Sequence, residues 1–331
     1  MDSSLPQTYH MLTSGDDKTP RLEQVPLPKP GKNQILVKMA FAPINQTDLI
    51  NLGGGYRLSP NPPYPVGLEG SGTVVAVGED LQAPHKVGDR VHVHSVGTLA
   101  QYCIANSEDC APIKGDLSFE DAASHIINPC TVAYMAALAV RGGHKAAIST
   151  AASSALGKML IRYFKQKGIK TINTVRQDKY IDGLKQEGAD YVLNSEAPDF
   201  ETKLKEIAEK EGATIAFDAI NGDFTTKLVS NMPVNSTCYV YGMLSGQVKW
   251  SLTETKKLDD GKTISGLIYR SYIQEFKEKG ELNKLWEEIH TPLKTIFKTE
   301  THKVYPLEEI KEAVEYYKAN SSKGKLLIKL N

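Results

Sequence analysis

The chain has 331 residues, of which 40% are hydrophobic and 24% are charged, a composition typical of a globular protein large enough for two domains. Lysine plus arginine and aspartate plus glutamate number 39 each, so the zero net charge argues against a nucleic acid as the main partner. No apolar run approaches the roughly 18 residues that a membrane span needs, so we expect no membrane span.

The cysteines and the N-terminus indicate the compartment. No C-x-x-C pair occurs among the four cysteines, which favours a reducing compartment. The N-terminal residues show neither a secretory signal nor the acid-poor composition of a mitochondrial transit peptide. We therefore expect a cytoplasmic protein, with the mitochondrial matrix as the open alternative.

Short β-rich runs bounded by proline and glycine fill the first third of the chain. They cover residues 34–41, 72–78, 90–94 and 99–104. This pattern predicts a compact and mostly antiparallel β domain.

After residue 118 the pattern changes to strands that alternate with helices. A helix is predicted at 128–141, strands at 146–150, 170–175, 191–193, 214–218, 237–241 and 262–268, and helices between them at 155–166, 178–186, 200–211 and 223–231. Such alternation with right-handed crossovers predicts a doubly wound parallel sheet of the Rossmann type.

The C-terminal tail, with a helix predicted at 307–319 and a strand at 325–330, is closer in character to the first third than to the middle. We therefore expect the tail to complete the first domain. The predicted domains are residues 1–125 with 290–331, and residues 126–289.

The sequence TAASSALGKML occupies the place of a dinucleotide-binding turn between a strand and a helix. The G-x-G-x-x-G positions fall on Ala152, Ser154 and Gly157, so only the glycine that packs helix on strand is present. Ser153, Ser154 and Ala155 are small, and the two hydroxyls could bind phosphate at a helix N-terminus. The alternative is that the serines only cap the helix.

The end of the next strand indicates which dinucleotide would bind. An NAD enzyme places an acidic residue there, whereas this strand ends in Arg176, with Lys179 close behind. Arginine suits a 2′-phosphate, so we predict NADP(H), with a solvated basic loop as the alternative. Tyr241 and Gly242, at the end of the strand predicted at 237–241, complete the predicted cofactor set.

Two further features carry no predicted site. His92 and His94 share one face of a strand, but no third ligand is apparent, so we predict no metal. Cys130 is expected to be a buried and inert thiol.

Several segments together resemble the medium-chain dehydrogenase/reductase superfamily over nearly the whole chain. They are residues 35–56, 63–78, 86–93, 97–102, 127–138 and 305–330. The resemblance implies an α/β protein with a GroES-like, mostly β catalytic domain and a Rossmann domain. It also implies a homodimer, for which residues 262–268 would be the edge strand of the sheet.

The zinc alcohol dehydrogenases of that superfamily have a cysteine where this chain has Asn45 and a histidine where it has Leu68. Leucine cannot bind zinc and asparagine binds it poorly. The resemblance therefore implies the zinc-less branch, which contains quinone-oxidoreductase-like proteins and 2-enoyl thioester reductases.

Three functional positions follow from the resemblance. Tyr56 matches a tyrosine that acts as proton donor or substrate-oxygen anchor, Asn45 matches an asparagine near the nicotinamide, and Thr131 matches a residue that faces the cofactor. The chain departs from the enoyl reductases at Thr98 and Leu99, where an aromatic residue usually follows GT.

The expected activity is NADPH-dependent reduction of an α,β-unsaturated carbonyl or an enoyl thioester, a small-molecule substrate, without zinc. Two alternatives stay open: an NADPH:quinone oxidoreductase that uses the same residues, and a non-catalytic NADPH-binding structural or regulatory protein.

Overall fold

The structure, a computed structural model, describes residues 5–54, 61–320 and 323–331. The chain divides into two compact units, Met1–Ile127 with Thr299–Asn331, and Asn128–Lys298. Across the described residues, no helix has both the length and the apolar character needed to cross a membrane.

The N-terminal part of the first unit consists mainly of strands. They are β1 (Thr8–Ser14), β2 (Pro20–Pro26), β3 (Gln34–Pro43), β4 (Tyr64–Pro65), β5 (Glu69–Val77), β6 (Arg90–His94), β7 (Tyr102–Asn106) and β8 (Cys110–Pro112), with the short helices α1 (Gln46–Leu52) and α2 (Phe119–Ala122). Strands β1 and β2 escaped prediction. The prolines at both ends of β2 read as turn residues, although proline is tolerated in edge strands, and β2 is an edge strand here.

The second unit begins within α3 (Ile127–Arg141) and then alternates strands with helices. Its elements are β9 (Ala146–Ser149), α4 (Ala155–Gln166), β10 (Lys170–Val175), α5 (Ile181–Glu187), β11 (Tyr191–Asn194), α6 (Phe200–Glu211), β12 (Ile215–Asp218), α7 (Asp223–Ser230), β13 (Thr237–Val240), β14 (Thr255–Lys257), β15 (Thr263–Gly266), α8 (Tyr269–Glu278) and α9 (Leu282–His290).

The strands of the second unit form one sheet in the order β11-β10-β9-β12-β13-β15-β14. All neighbouring pairs are parallel except β14 with β15. The strand order reverses between β9 and β12, which is the switch point at which doubly wound folds bind ligands beyond the carboxyl ends of their strands. The predicted Rossmann-type sheet is confirmed.

The outer edge of this sheet differs from the prediction. Residues 262–268 were expected to form the edge strand, but β14 pairs antiparallel with β15 and lies outside it. The prediction is wrong because residues 253–257 contain no apolar residue, and β14 consists of exposed threonine and lysine residues.

The tail returns to the first unit as β16 (Thr301–Pro306), α10 (Ile310–Asn320) and β17 (Lys325–Lys329). The main sheet of this unit has the order β16-β17-β3-β5-β6-β8, with β7 also paired to β3. Strand β17 runs antiparallel to β3, and the Ile44 amide donates to the Leu326 carbonyl across 3.0 Å. This pairing brings the C-terminal residues next to the segment that joins β3 to α1.

Candidate active site

The predicted cofactor turn joins β9 to α4 at the carboxyl edge of the parallel sheet. Its left-handed residue is Ala151, with a φ of 51°, and the Ala152 amide donates to the Thr174 carbonyl of β10 across 3.1 Å. Ser154 is the N-cap of α4, and its hydroxyl accepts a 3.1 Å hydrogen bond from the Gly157 amide. A capping hydroxyl still carries a hydrogen that it can donate to a phosphate, so capping and cofactor binding are compatible at Ser154.

Gly157 is required by packing. A Cβ at this position would lie 2.4 Å from the carbonyl oxygen of Ala152, so the first turn of α4 rests directly on the backbone of the preceding loop. The Ala152 side chain is fully buried there, whereas Ser153 and Ala155 are partly exposed beside the helix N-terminus. The unsatisfied amides of that terminus favour a negatively charged group.

Two exposed cations follow β10, the strand beside β9. Arg176 comes directly after the strand, and the Lys179 ammonium lies 5.0 Å from the centroid of the Tyr180 ring. The acidic residue between them, Asp178, accepts a 2.9 Å hydrogen bond from the Asn194 amide. Arg176 and Lys179 therefore present two positive charges at the surface beyond β10, beside the single carboxylate of Asp178.

A buried aspartate connects two loops at the switch point. Asp218, at the end of β12, accepts hydrogen bonds from the hydroxyls of Thr150 (2.7 Å) and Thr225 (2.6 Å) and from the Asn221 amide (3.0 Å). Thr150 begins the cofactor turn, and its hydroxyl in turn accepts from the Ala219 amide at 2.8 Å. Sequence reasoning missed Asp218. Its signal is a charged residue at the end of an apolar strand, because the carboxyl ends of parallel strands are where such sheets bind ligands.

Tyr241 and Gly242 follow β13 at the same edge. The Tyr241 amide donates to the Asp218 carbonyl across 2.9 Å, and a Cβ on Gly242 would lie 2.6 Å from the Ala219 oxygen. Burial and the nearby Asp218 charge raise the pKa of Tyr241 well above its ordinary value, so its hydroxyl stays protonated. The backbone after β13 therefore packs directly against the loop after β12.

The other predicted residues are placed as follows. Thr131 is buried in the first half of α3, beside the buried Cys130. Tyr56 lies outside the described residues. Neither the contact of Thr131 with a ligand nor the predicted role of Tyr56 is tested here, and both stay predictions.

Asn45 belongs to a buried hydrogen-bond network in the first unit. It precedes α1, and its backbone amide donates to an Asp48 carboxylate oxygen across 2.7 Å. The side-chain Nδ2 donates to Glu69 Oε1 at 3.0 Å, and its Oδ1 accepts from the ammonium of Lys325. The second oxygen of Glu69 accepts from the amides of residues 126 and 127, at 2.9 Å and 3.0 Å.

Burial governs the charges in this network. Asp48, Glu69 and Lys325 are at most 4% exposed. Burial raises the pKa of Asp48 to about 7, against the opposing effects of its hydrogen bond from Asn45 and of the Lys325 charge. Burial lowers the pKa of Lys325, while Glu69 and Asp48 oppose that change. Sequence reasoning missed all three residues and selected only Asn45.

The donor set of this network does not fit zinc. Leu68, which the resemblance matches to a zinc-binding histidine, is 2% exposed and apolar. The side-chain oxygen of Asn45, which the resemblance matches to a zinc-binding cysteine, is already bound by an ammonium group that would repel a metal cation. Asn45 and Leu68 therefore do not form a zinc site.

Two buried histidines lie in the same unit. His92 and His125 meet edge to face with ring centroids 6.1 Å apart, and His92 Nδ1 donates to the Ala122 carbonyl at 3.0 Å. Burial lowers the pKa of His92 to about 4 and, together with the charges of His92 and Lys325, that of His125 to about 3. Both rings are neutral near neutral pH.

Comparison with known proteins gives matches in both units. The alcohol dehydrogenase GroES-like domain family matches residues 31–140, and the zinc-binding dehydrogenase family matches residues 155–285. Prostaglandin reductase-3 of Mus musculus is 25% identical, over 92% of this chain and 83% of its own length. The mitochondrial enoyl-[acyl-carrier-protein] reductase of Mus musculus is 29% identical, over 87% of this chain and 76% of its own.

A solved structure extends the likeness to almost every residue. A Mesorhizobium loti protein, provisionally described as an NADPH:quinone reductase, is 29% identical with a TM-score of 0.86, over 98% of this chain and 99% of its own. The fold is that of a GroES-like domain with a Rossmann domain. The chain belongs to the medium-chain dehydrogenase/reductase superfamily of oxidoreductases, on the branch of the quinone-oxidoreductase-like and enoyl-reductase-like proteins.

Proposed function

We propose that the chain is an NADPH-dependent reductase of activated double bonds, acting on an α,β-unsaturated carbonyl or an enoyl thioester without zinc. The observation that carries the proposal is the hydrogen-bonded amide of Asn45, which with Leu68 occupies positions that hold metal ligands in zinc-dependent members. The names of the prostaglandin reductase and enoyl reductase relatives support the same class of reaction.

The second unit supplies the residues that would hold NADP(H). Ala152, Ser153, Ser154, Ala155 and Gly157 form the turn for the pyrophosphate, whose charge is favoured at the N-terminus of α4. The fit is supported by the close approach of the helix to the turn at Gly157.

NADPH over NADH is the finer part of the proposal. Arg176 and Lys179 would bind the 2′-phosphate, because a guanidinium group matches phosphate geometry and both side chains are exposed beside the turn. Thr131, Tyr241 and Gly242 complete the proposed cofactor set. NADPH, when bound, supplies the hydride, and the protein supplies binding, orientation and charge stabilisation.

The first unit would stabilise the charge that develops on the substrate oxygen. Tyr56 would donate its phenol hydrogen to that oxygen or to the α-carbon, and Asn45 would place an amide hydrogen near the nicotinamide. A conjugated carbonyl develops its charge as an enolate, which is less basic than the alkoxide formed from a plain ketone. Hydrogen-bond donors of this strength therefore match activated double bonds better than simple ketones.

Quinone reduction is a second candidate. It is favoured by the Mesorhizobium loti structure, whose provisional description is an NADPH:quinone reductase and which matches 98% of this chain. The same donors would stabilise the phenolate that a quinone forms on accepting hydride.

A panel of acceptors tests the proposal. Oxidation of NADPH is followed with a crotonyl thioester, an enone and a quinone, and the specificity constant with NADPH is compared with that for NADH. We expect the thioester or enone to react fastest and NADPH to be preferred. Tyr56→Phe should lower kcat about 100-fold, the scale of general acid catalysis, whereas Tyr316→Phe, which loses a hydroxyl bonded to His302, should not.

Three other outcomes would contradict the proposal. Turnover with the quinone alone would establish the second candidate. NADPH binding, seen as a blue-shifted cofactor fluorescence, without turnover of any acceptor would indicate a non-catalytic NADPH-binding protein. Absence of NADPH binding would remove every one of these assignments.

Assembly and compartment are also proposed. We propose a homodimer, as is common in this superfamily, and propose the outer side of β14, one of the two edges of the described sheet of the second unit, as the edge that pairs. A cytoplasmic location is proposed from the sequence, with the mitochondrial matrix open because the enoyl reductase relative is mitochondrial.

A further inference from the structure

The buried hydrogen bonds of the first unit form a continuous chain from Lys325 through Asn45 to Glu69, which we call the relay. Lys325 donates to the oxygen of the Asn45 amide, and the nitrogen of that amide donates to Glu69. We infer that Lys325 is a positioning residue, which fixes the orientation of the Asn45 amide so that one of its hydrogens is presented to the reacting groups. The inference rests on the role proposed above for Asn45.

The chemistry of the two neighbours leaves the amide one orientation. An ammonium group can only donate hydrogen bonds, and a carboxylate can only accept them. If the Asn45 amide turned over, its NH₂ would face the Lys325 ammonium and its oxygen would face the Glu69 carboxylate, so both contacts would become repulsive. The order of nitrogen and oxygen is therefore dictated by charge, whereas the shape of an amide alone does not distinguish the two orientations.

The carboxylate end of the relay is itself fixed. The second Glu69 oxygen accepts from two consecutive backbone amides, at 2.9 Å and 3.0 Å, just before α3. Glu69 lies at the start of β5 and is 1% exposed, so a change of rotamer would break these hydrogen bonds where water cannot replace them. The amide of Asn45 is thus held between a backbone-anchored acceptor and a buried cation.

The cation of the relay, Lys325, comes from the C-terminal end of the chain. Lys325 is 280 residues from Asn45 in sequence, and the pairing of β17 with β3 places it beside the start of α1. A buried charge is costly unless it is paired, and Lys325 has both Glu69 and Asp48 within electrostatic range. A lysine that served only to fill space could be replaced by an apolar residue without that cost.

This arrangement leaves one of the two Nδ2 hydrogens of Asn45 without an acceptor among the described residues. The Nδ2 group carries two hydrogens, and among the described residues its acceptor is Glu69 Oε1, which takes one of them. The other is free to donate to a carbonyl oxygen, either of the nicotinamide carboxamide or of the substrate. Lys325 would therefore act on the reaction through Asn45 and would not touch the reacting atoms.

A double-mutant cycle tests the inference, with Lys325→Met, Asn45→Ala and the double variant. The acceptor is whichever of a crotonyl thioester, an enone and a quinone the wild-type protein reduces fastest. We expect each single variant to lower kcat at least tenfold, and the double variant to be no slower than Asn45→Ala, because Lys325 acts through Asn45. Lys325→Arg should recover most of the kcat, because it keeps a cation that can donate to the Asn45 oxygen.

A spectroscopic readout separates positioning from general support of the fold. The side-chain amide signals of Asn45, identified by their loss in Asn45→Ala, should exchange their hydrogens at least tenfold faster in Lys325→Met. Ser107→Ala is the matched control, because it removes a fully buried hydroxyl of the same unit that takes no part in the relay. If Lys325→Met does not fold, Lys325→Gln replaces it in the same measurements.

The results separate the positioning role of Lys325 from the role proposed for Asn45. Wild-type kcat and unchanged Asn45 amide exchange in a folded Lys325 variant would overturn the inference, as would effects that multiply in the double variant. If Asn45→Ala itself has the kcat of the wild type, the role proposed for Asn45 fails and the positioning role of Lys325 fails with it. If Asn45→Ala is slow but the Lys325 variants are not, only the positioning role fails.

Discussion

At the scale of single residues, buried polar groups of the first unit are stabilised by one another. Lys325, Asp48 and Glu69 are almost fully enclosed, and the hydrogen bonds of Asn45 connect them. Only Asn45 was predicted, from the resemblance to zinc-less family members. A lysine at the start of a strand is typical of a solvated edge, so nothing local in the sequence marks Lys325 as buried. Its position depends on a strand pairing across the whole chain.

The buried histidines predict a pH dependence of stability. The folded-state pKa values of His92 and His125, about 4 and about 3, lie below the ordinary value of 6.5. Their contribution to stability is therefore fully present above pH 6.5 and is lost as the pH falls through the folded values. Each should reduce the free energy of unfolding by about 1.4 kcal/mol per pH unit between about pH 6 and its folded-state pKa.

His125→Gln tests this dependence. Urea unfolding is measured between pH 6 and pH 4.5, below the ordinary histidine pKa of about 6.5. The free energy of unfolding should fall less steeply with pH in the variant, by about 1.4 kcal/mol per pH unit, which corresponds to one proton. Asp48, whose raised pKa of about 7 favours the folded state at low pH, acts in the opposite direction in both proteins and cancels in the comparison. Parallel curves for the two proteins would show that His125 does not take up its proton on unfolding.

At the scale of elements, the β9–α4 turn combines two functions that the sequence left as alternatives. Ser154 caps the helix, and Gly157 allows the helix to rest on the turn. The glycine could be predicted, because its position in the fingerprint has a packing role. The left-handed residue could not, since Ala151 lies one position before the fingerprint and alanine rarely adopts a positive φ. The hydrogen bonds between Thr150 and the segment that contains Asp218 could not be predicted either. They join residues far apart in sequence, which become neighbours only through the order of strands in the sheet.

Ser154→Asp separates capping from cofactor binding. Aspartate is as good an N-cap as serine, so the thermal stability should be kept, but its charge would repel the pyrophosphate of NADPH. We expect the Kd for NADPH, measured by fluorescence titration, to rise at least tenfold, or about 1.4 kcal/mol.

The matched control for that variant is Ser154→Asn, which keeps a capping side chain without the charge. Its Kd should stay within about threefold of the wild-type value. Equal Kd values for the aspartate and asparagine variants would mean that the stretch is an ordinary helix start.

At the scale of the whole molecule, the chain consists of two compact units, and its tail belongs to the first. The parallel sheet could be predicted from the alternation of apolar strands with helices, which is a local signal. Fewer of the strands and helices of the first unit were predicted. Strands β1 and β2 and helix α1 were missed, and β7 begins at Tyr102 whereas its predicted start is residue 99. Antiparallel strands there are short and flanked by proline, so their pairing partners decide their bounds.

We propose that hydride from NADPH reaches the β-carbon of a conjugated acceptor without help from zinc. The most direct measurement uses NADPH deuterated at the transferred position, chelator-treated protein and an enone whose carbonyl could also be reduced. We expect a saturated ketone with deuterium on the β-carbon, formed at the same rate before and after chelation. An alcohol with deuterium on the carbonyl carbon, or activity that chelation abolishes and zinc restores, would contradict it.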